Sequence, residues 1–415
     1  MGTSLYKWVV IVLLWGSCFL NYADRQAVYV LFPLLRSSLN MSDIQLALVS
    51  SAFMWSYAAF GPFAGWLGDL MNRRRLILTG LAIWVVVTWL TILSKHFLEL
   101  LFIRAIGGIA EAIYFPAALS IISDYHGPDT RSRAMSLHQS AVYVGTAGGG
   151  VLAARLGEQY GWSGNFIALG CLGVVQFLLL FFLLKEPVPQ KSRKDGAHPE
   201  GILCTWRQLL SSHAVVRLIL AFICANFVAM AFMVWLPTIF YTRYHLSLTL
   251  SGFHATIYLA VASAVGVFLG GLLADYFAMR YGAARMAIQI CGVLLGVPFL
   301  LLTGIAEQLS FFILAMTGFG FCKGLYESNL WASLYDVVEE RQRASATGLM
   351  NALGWAGGAL APLTMAFAMA HISMSSALST TCFVYLLAGI LLMMNIFLFS
   401  RKDEKMVPPE TDHVG

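Results

Sequence analysis

Four charged residues stand where a chain of this composition tolerates few. Asp24 and Arg25, in the stretch Asn21-Tyr22-Ala23-Asp24-Arg25, interrupt an apolar run that begins at Trp8 and resumes through Val28–Phe32. Arg104 and Glu111 lie in a second run, Arg104-Ala-Ile-Gly-Gly-Ile-Ala-Glu111. Seven residues are about two helical turns, so Arg104 and Glu111 share one helix face. Gly107 and Gly108 between them let a neighbouring helix come close. An ionised side chain at mid-bilayer costs roughly 2.5–3.5 kcal/mol on insertion scales, and it is kept where it faces water, pairs or serves a function. Buried carboxyls beside arginines are natural proton carriers, because burial and a neighbouring cation move the protonation equilibrium in opposite directions. Asp24 and Glu111 therefore carry the candidate proton chemistry. The plainer reading is an internal ion pair, Glu111 neutralising Arg25 or Arg104.

The elements that must position these residues are membrane spans. Of 415 residues, 59% are hydrophobic and 11% charged, against about a quarter charged in soluble domains. The net charge of +5 is a matter of loop lysines and arginines, not a nucleic-acid signal. Six cysteines fall inside apolar runs and Cys204 in a loop, with no CxxC or metal spacing; neither disulfide nor metal nor cofactor is expected. Apolar runs predict twelve spans, at about 7–32, 45–69, 76–94, 98–124, 134–156, 165–184, 213–241, 250–276, 286–304, 309–337, 344–369 and 378–399. The first continues past Arg25, which argues for an uncleaved span over a signal peptide. Residues 185–212, with Glu186-Pro187-Val188-Pro189 and Lys191-Ser192-Arg193-Lys194, read as a linker between six-helix bundles at 1–184 and 213–400, with a charged tail at 401–415. Nineteen of the 26 Lys and Arg residues fall on the side of the termini, four on the other and three (Arg25, Arg104, Lys323) within spans. That bias predicts cytoplasmic termini. The fold class expected is all-α, a multi-pass protein of the plasma or inner membrane.

The halves repeat. Gly65-Trp66-Leu67-Gly68-Asp69 after span 2 is echoed by Gly271-Leu272-Leu273-Ala274-Asp275 after span 8. Asp124…Arg131-Ser132-Arg133-Ala134 after span 4 is echoed by Asp336…Arg341-Gln342-Arg343-Ala344 after span 10. Duplication with a site at the repeat interface is a secondary-transporter plan. Gly65-x-Leu67-x-Asp69-x-x-x-Arg73-Arg74 resembles the loop 2–3 signature of the major facilitator superfamily, departing from it at Leu70 and Asn72. The resemblance runs along nearly the whole chain and implies two bundles related by a pseudo-two-fold axis. Asp69, Arg73, Arg74, Asp124 and Asp275 are the candidate gating latch, the arginines pairing with acids at helix ends; simple positive-inside anchoring is the alternative for the arginines.

Asn-Tyr-x-Asp-Arg in span 1, and Arg104…Gly-Ile-Ala-Glu111-Ala…Phe115-Pro116 in span 4, resemble the anion:cation symporters, which include sugar-acid/proton symporters and sialin-type carriers. That resemblance implies that Arg25 holds a substrate carboxylate and that Asp24 and Glu111 take protons. It places Tyr22, Tyr57, Ser328, Trp331 and Asn351 at substrate-contacting positions, with Arg104 beside them. The span 5 glutamine of the pattern falls on Val142, Gln139 standing one turn earlier. Lys323 and Glu327 in span 10, spaced i,i+4, form a self-paired ion pair or bear on substrate charge or gating. His138 in span 5 is either titrating or a packing histidine, and Asn226 and Trp235 in span 7 are further cavity candidates. Asn40-Met41-Ser42 is formally a sequon, but Ser42-x-x-Gln45 reads as a capping box opening span 2. The function expected is proton-coupled symport of a small organic anion by a monomer in the lipid bilayer, with no nucleic-acid partner. A Spinster-like lysophospholipid or lipid transporter shares the Asp-Arg and Glu-Ala elements. An enzyme or an ATP-driven pump is disfavoured, since HExxH, GxSxG and GxxxxGK[ST] are absent.

Overall fold

The computed structural model describes residues 3–70, 72–126, 128–186, 202–278, 281, 283–339 and 342–404. These residues form helices and, among them, no strand. In order they are α1 (Thr3–Val30), α2 (Phe32–Leu39), α3 (Asp43–Leu70), α4 (Arg73–Ile92), α5 (Phe97–Tyr125), α6 (Pro128–Leu183), α7 (Ile202–Ser211) and α8 (His213–Thr242). There follow α9 (Leu248–Ala278), α10 (Ala284–Ile305), α11 (Leu309–Glu327), α12 (Leu330–Tyr335), α13 (Arg343–Gly358), α14 (Leu360–Met369) and α15 (Met374–Glu404).

Among the described residues, 11 stretches are long and apolar enough to cross a membrane, and the longest is Arg133–Leu183 with 51 residues. At 1.5 Å per residue it is more than twice as long as a bilayer core of about 30 Å. It divides at Gly161, whose φ of 73° and ψ of 172° suit glycine alone. The expected twelve crossings follow, with spans 5 and 6 on either side of Gly161.

Two expected spans are interrupted and the first ends in a turn. Pro33 has no N–H to continue the α1 ladder, so the chain turns at Leu31 before α2. Span 10 breaks at Ser328–Asn329, where Asn329 Nδ2 donates to the carbonyl of Gly270 at 3.3 Å. Span 11 breaks at Ala359, because Pro362 cannot return a hydrogen bond to Gly358. The capping box forms: Ser42 N–H donates to Gln45 Oε1 at 2.9 Å, and Gln45 N–H to Ser42 Oγ at 3.3 Å.

Contacts group the described residues into two compact units. The first falls within Met1–Pro199, Asn226–Ala260 and Asn351–Leu378; the second within Glu200–Ala225, Val261–Met350 and Ser379–Gly415. In the first, α1 packs along α6, α3 along α5, and α4 along α5 and α6, while α14 packs on α3. Small residues set these distances. A Cβ on Gly149 of α6 would strike the backbone and side chain of Ala23, one residue before Asp24. A Cβ on Gly108 of α5 would strike Ser56 Oγ and the Phe53 carbonyl on α3. The second unit is organised around α10 packed on α11, with Gly324 against the Ser263 carbonyl. One ion pair recurs in both units at the same spacing of 51 residues, Arg73–Asp124 in the first and Arg285–Asp336 in the second, the latter at 3.1 Å. The internal repeat read from the sequence is thus carried into side-chain chemistry.

Gly149→Val forces α1 away from α6 and should cost about 1–3 kcal/mol, as overpacking does. Gly61 has open space around its Cβ, so Gly61→Ala should leave stability unchanged or slightly raised. Thermal unfolding in detergent checks this; equal midpoints for the two variants would refute the packing argument.

Candidate functional site

The four charges singled out in the sequence meet in the first unit as two crossed ion pairs. Arg25 Nε donates to Glu111 Oε2 at 2.6 Å, and Arg104 Nη1 to Asp24 Oδ2 at 2.6 Å. Their side chains are 0–4% exposed. Both arginines and both acids are supplied by α1 and α5. Adjacent residues on α1 project about 100° apart, so Asp24 and Arg25 reach two different partners, and the two-turn spacing of Arg104 and Glu111 provides them. The set carries no net charge. Removing four ions from water costs several kcal/mol each, which close opposite charges offset only when geometry and hydrogen bonding are good.

The cluster is not saturated. Arg25 Nη1, Arg104 Nε and Glu111 Oε1 are buried without a hydrogen-bond partner. Aromatic rings enclose the Arg25 guanidinium instead. Its Cζ lies 4.7 Å from the centroid of Tyr22, 4.9 Å from Phe53, 4.6 Å from Tyr57 and 5.3 Å from Trp355. Arg104 Cζ lies over Phe53 at 4.6 Å. Ring faces attract a cation without neutralising it.

Of the residues expected here from sequence, Tyr22, Tyr57, Asp24, Arg25, Arg104 and Glu111 come together. Asn351 lies in the same unit, half-buried on α13. Gln139 is exposed on α6. His138 beside it is buried, with Nε2 at 3.3 Å from the Tyr114 hydroxyl. Ser328 and Trp331 belong to the second unit. There Ser328 Oγ donates to the Leu325 carbonyl at 2.7 Å and accepts from Asn329 Nδ2 at 2.8 Å, and Trp331 packs on Phe222. Lys323 and Glu327 pair with each other at 2.7 Å. Asn226 and Trp235 act as ties: Asn226 Nδ2 donates to the Gly354 carbonyl at 2.7 Å, and Trp235 Nε1 to that of Pro362 at 3.3 Å. Trp235 is fully buried, so its ring is core and not cavity wall.

Phe53 and Trp355 were not among the sequence candidates. Phe53 stands one turn before Tyr57, and Trp355 one turn after Asn351; helical spacing from a named candidate was the available signal.

At the start of α4, Arg73 pairs with Asp124. Glu186, read from sequence as linker, accepts from the Arg73 and Arg74 N–H groups at 3.2 and 2.8 Å and so caps this helix. Arg74 also donates to the carbonyls of Leu184 at 2.5 Å and Phe181 at 2.6 Å. The Asp69 side chain lies outside the described residues, and Asp275 is exposed.

The opposite ends of the first unit's helices are tied across distant sequence. Ser51 Oγ donates to the Ala359 carbonyl at 2.6 Å and Trp55 Nε1 to that of Ala356 at 3.2 Å. Glu158 accepts from Thr249 N–H at 3.2 Å and from its hydroxyl, and so caps the first turn of α9. A Cβ on Gly252 would lie 2.8 Å from Ala154 Cβ and 3.0 Å from the Gly150 carbonyl.

Breaking one buried pair leaves an uncompensated charge. Arg104→Met should destabilise by about 3–5 kcal/mol, and adding Asp24→Asn should recover part of that loss. The check is thermal unfolding of wild type, both single variants and the double; strict additivity would argue against the pairing.

Comparison with known proteins agrees with this architecture. A family model described as Major Facilitator Superfamily matches residues 14–277 and 252–413. The chain is 25% identical over 397 residues, 88% of its length and 87% of the relative's, to "Probable galactarate/D-glucarate transporter GudP" of Escherichia coli strain K12. It is 24% identical over 380 residues, 87% of each, to the hexuronate transporter of Bacillus subtilis strain 168. Protein spinster homolog 1 of Homo sapiens is 32% identical over 225 residues, 52% of this chain and 43% of that protein. The fold matches the crystal structure of a bacterial homolog to the human lysosomal transporter Spinster, in an inward-facing and unoccupied conformation. Its TM-score is 0.80 at 21% identity, covering 96% of this chain and 98% of that one. From its family match, its membrane-spanning helices and its fold, the chain is a multi-pass integral membrane transporter belonging to the Major Facilitator Superfamily.

Proposed function

We propose that this protein is a proton-coupled symporter of a small organic anion, most simply a sugar acid, working by alternating access. The observation that carries the reading is the crossed, net-neutral cluster of Asp24, Arg25, Arg104 and Glu111, with a buried, unpartnered donor on Arg25 and acceptor on Glu111. Sugar-acid and hexuronate transporters among the relatives that cover most of the chain support it.

In the proposed cycle, protonation of Glu111 removes the negative partner of Arg25. The guanidinium then accepts a substrate carboxylate, and the cluster's net charge is restored. Departure of the substrate re-forms the Arg25–Glu111 pair and expels the proton. Arg104 holds Asp24 and passes the change in α5 to α1. A substrate with no negative charge cannot complete this exchange, because Arg25 would be left unpaired in a buried site.

The two bundles of the proposal are residues 1–184 and 213–400, joined by the 185–212 linker, with the termini cytoplasmic as the basic-residue bias suggests. Ties such as Ser51–Ala359, Trp55–Ala356 and Glu158–Thr249 join the first bundle to segments of the second within one compact unit. In alternating access these ties would break and re-form. Asp69, Arg73, Arg74 and Asp124, with Glu186, serve as the cytoplasmic latch, and Asp275 is its counterpart in the second half. The protein acts as a monomer. Asn351, a turn from Trp355 on one face of α13, favours a small polar ligand over the lipid of the Spinster alternative.

Glu111→Gln should abolish accumulation driven by a pH gradient while substrate exchange persists, since the amide mimics the protonated acid. Arg25→Lys should weaken acid binding at least ten-fold, because an ammonium does not reproduce two-pronged carboxylate binding. The measurement is gradient-driven uptake beside counterflow in the same proteoliposomes, with galactarate, glucarate and hexuronates. Accumulation by Glu111→Gln under a pH gradient alone would remove Glu111 from the coupling step.

A further inference from the structure

Of the four rings around Arg25, two are shut in. Phe53 is 0% and Tyr57 7% exposed. Tyr22 and Trp355 are half-buried, and the indole is the larger ring of the two.

Two neighbouring helices hold the backbone around it. Asn226 Nδ2 holds the carbonyl of Gly354, Trp55 Nε1 that of Ala356, and Ser51 Oγ that of Ala359. The Tyr57 ring meets it edge-on at 5.3 Å, tilted by 60°. The break between α13 and α14 follows within four residues. Interrupted helix at membrane depth is tolerated where it is buried in protein or lines a water-filled cavity.

We infer that Trp355 is a specificity-determining residue: the platform on which the ring of a cyclic sugar acid stacks while its carboxylate is held by Arg25. Arg25 lies over the same indole at 5.3 Å, with Nη1 unpartnered. A carboxylate held by that guanidinium brings the attached carbon skeleton beside the indole. A pyranose presents a flat face of C–H groups there, burying apolar area against the ring. Asn351, four residues earlier and so on the same side of α13, is placed to hydrogen-bond ring hydroxyls. An open-chain acid keeps the carboxylate contact but has no flat face to lay on the indole, and it loses more rotamer freedom on binding. Trp355 thereby separates ring-form hexuronates from linear aldarates, the two kinds of acid named for the relatives above.

The inference rests on the sugar-acid reading, and the test tells the two apart. Dissociation constants are measured in detergent for glucuronate and galacturonate against galactarate and glucarate, with wild type, Trp355→Leu and Trp355→Phe. Wild type should prefer the ring acids. Trp355→Leu should weaken them by about ten-fold or more, within the range that a lost apolar contact allows, and change the linear acids by less than about two-fold. Trp355→Phe, which keeps an aromatic face, should restore most of the ring-acid affinity. An equal loss for both kinds of acid, with the unfolding midpoint unchanged, would make Trp355 a general packing residue and overturn the inference while sparing the sugar-acid reading. Preference of wild type for the linear acids would also overturn it alone. Binding of none of the four acids would overturn the sugar-acid reading and this inference with it.

Discussion

Charge in a bilayer is the constraint on which the rest of this structure depends. An isolated ion at membrane depth is costly, and a chain keeps one only beside compensation. Here four ions compensate each other within a few ångströms, Arg25 with Glu111 and Arg104 with Asp24. Compensation needs short distances, which need α1 and α5 held near one another against α3 and α6. The glycines at 108 and 149 make this possible, since a Cβ at either position would collide with the neighbouring helix. Backbone closeness and side-chain charge are two aspects of one requirement.

The same arrangement leaves the cluster unsaturated. A pair that satisfied every donor and acceptor would be structural. This one leaves Arg25 Nη1 and Glu111 Oε1 buried without partners, and the proposed exchange of proton and anion rests on those two atoms. Four aromatic rings lie with their centroids 4.6–5.3 Å from the guanidinium carbon of Arg25. In the proposed binding step, preorganisation of this kind lowers the entropy lost, and it draws on residues as distant in sequence as Tyr22 and Trp355.

Irregular backbone marks where the membrane helices are most specialised. Pro33 and Pro362 interrupt helices by withholding an N–H, and the Ser328–Asn329 break is held by a side-chain amide on the Gly270 carbonyl. Around the second of these, three side chains from other helices take up carbonyls of α13 and its junction, at Gly354, Ala356 and Ala359. The broken span is therefore held by its neighbours as well as by its own ladder.

The sequence by itself determined a good deal. Hydropathy runs set the membrane spans, because about 20 apolar residues are needed per crossing whatever the tertiary context. Repeated Asp and Arg positions set the duplication, later seen as two ion pairs at one spacing. Seven-residue spacing set Arg104 and Glu111 on one face, since helical periodicity is local. The sequence left open which acid each arginine would take; the choice between Arg25–Glu111 and Arg104–Glu111 depends on how α1 is rotated against α5, a non-local property. It hid Phe53 and Trp355, since an aromatic in a span is usually packing and only the folded arrangement of α1, α3 and α13 brings those rings to one guanidinium. Glu186 was legible only as linker, because helix capping across 113 residues has no signature in either segment alone. Local periodicity and solvent preference are written in the chain; partner choice is decided by the geometry that packing produces.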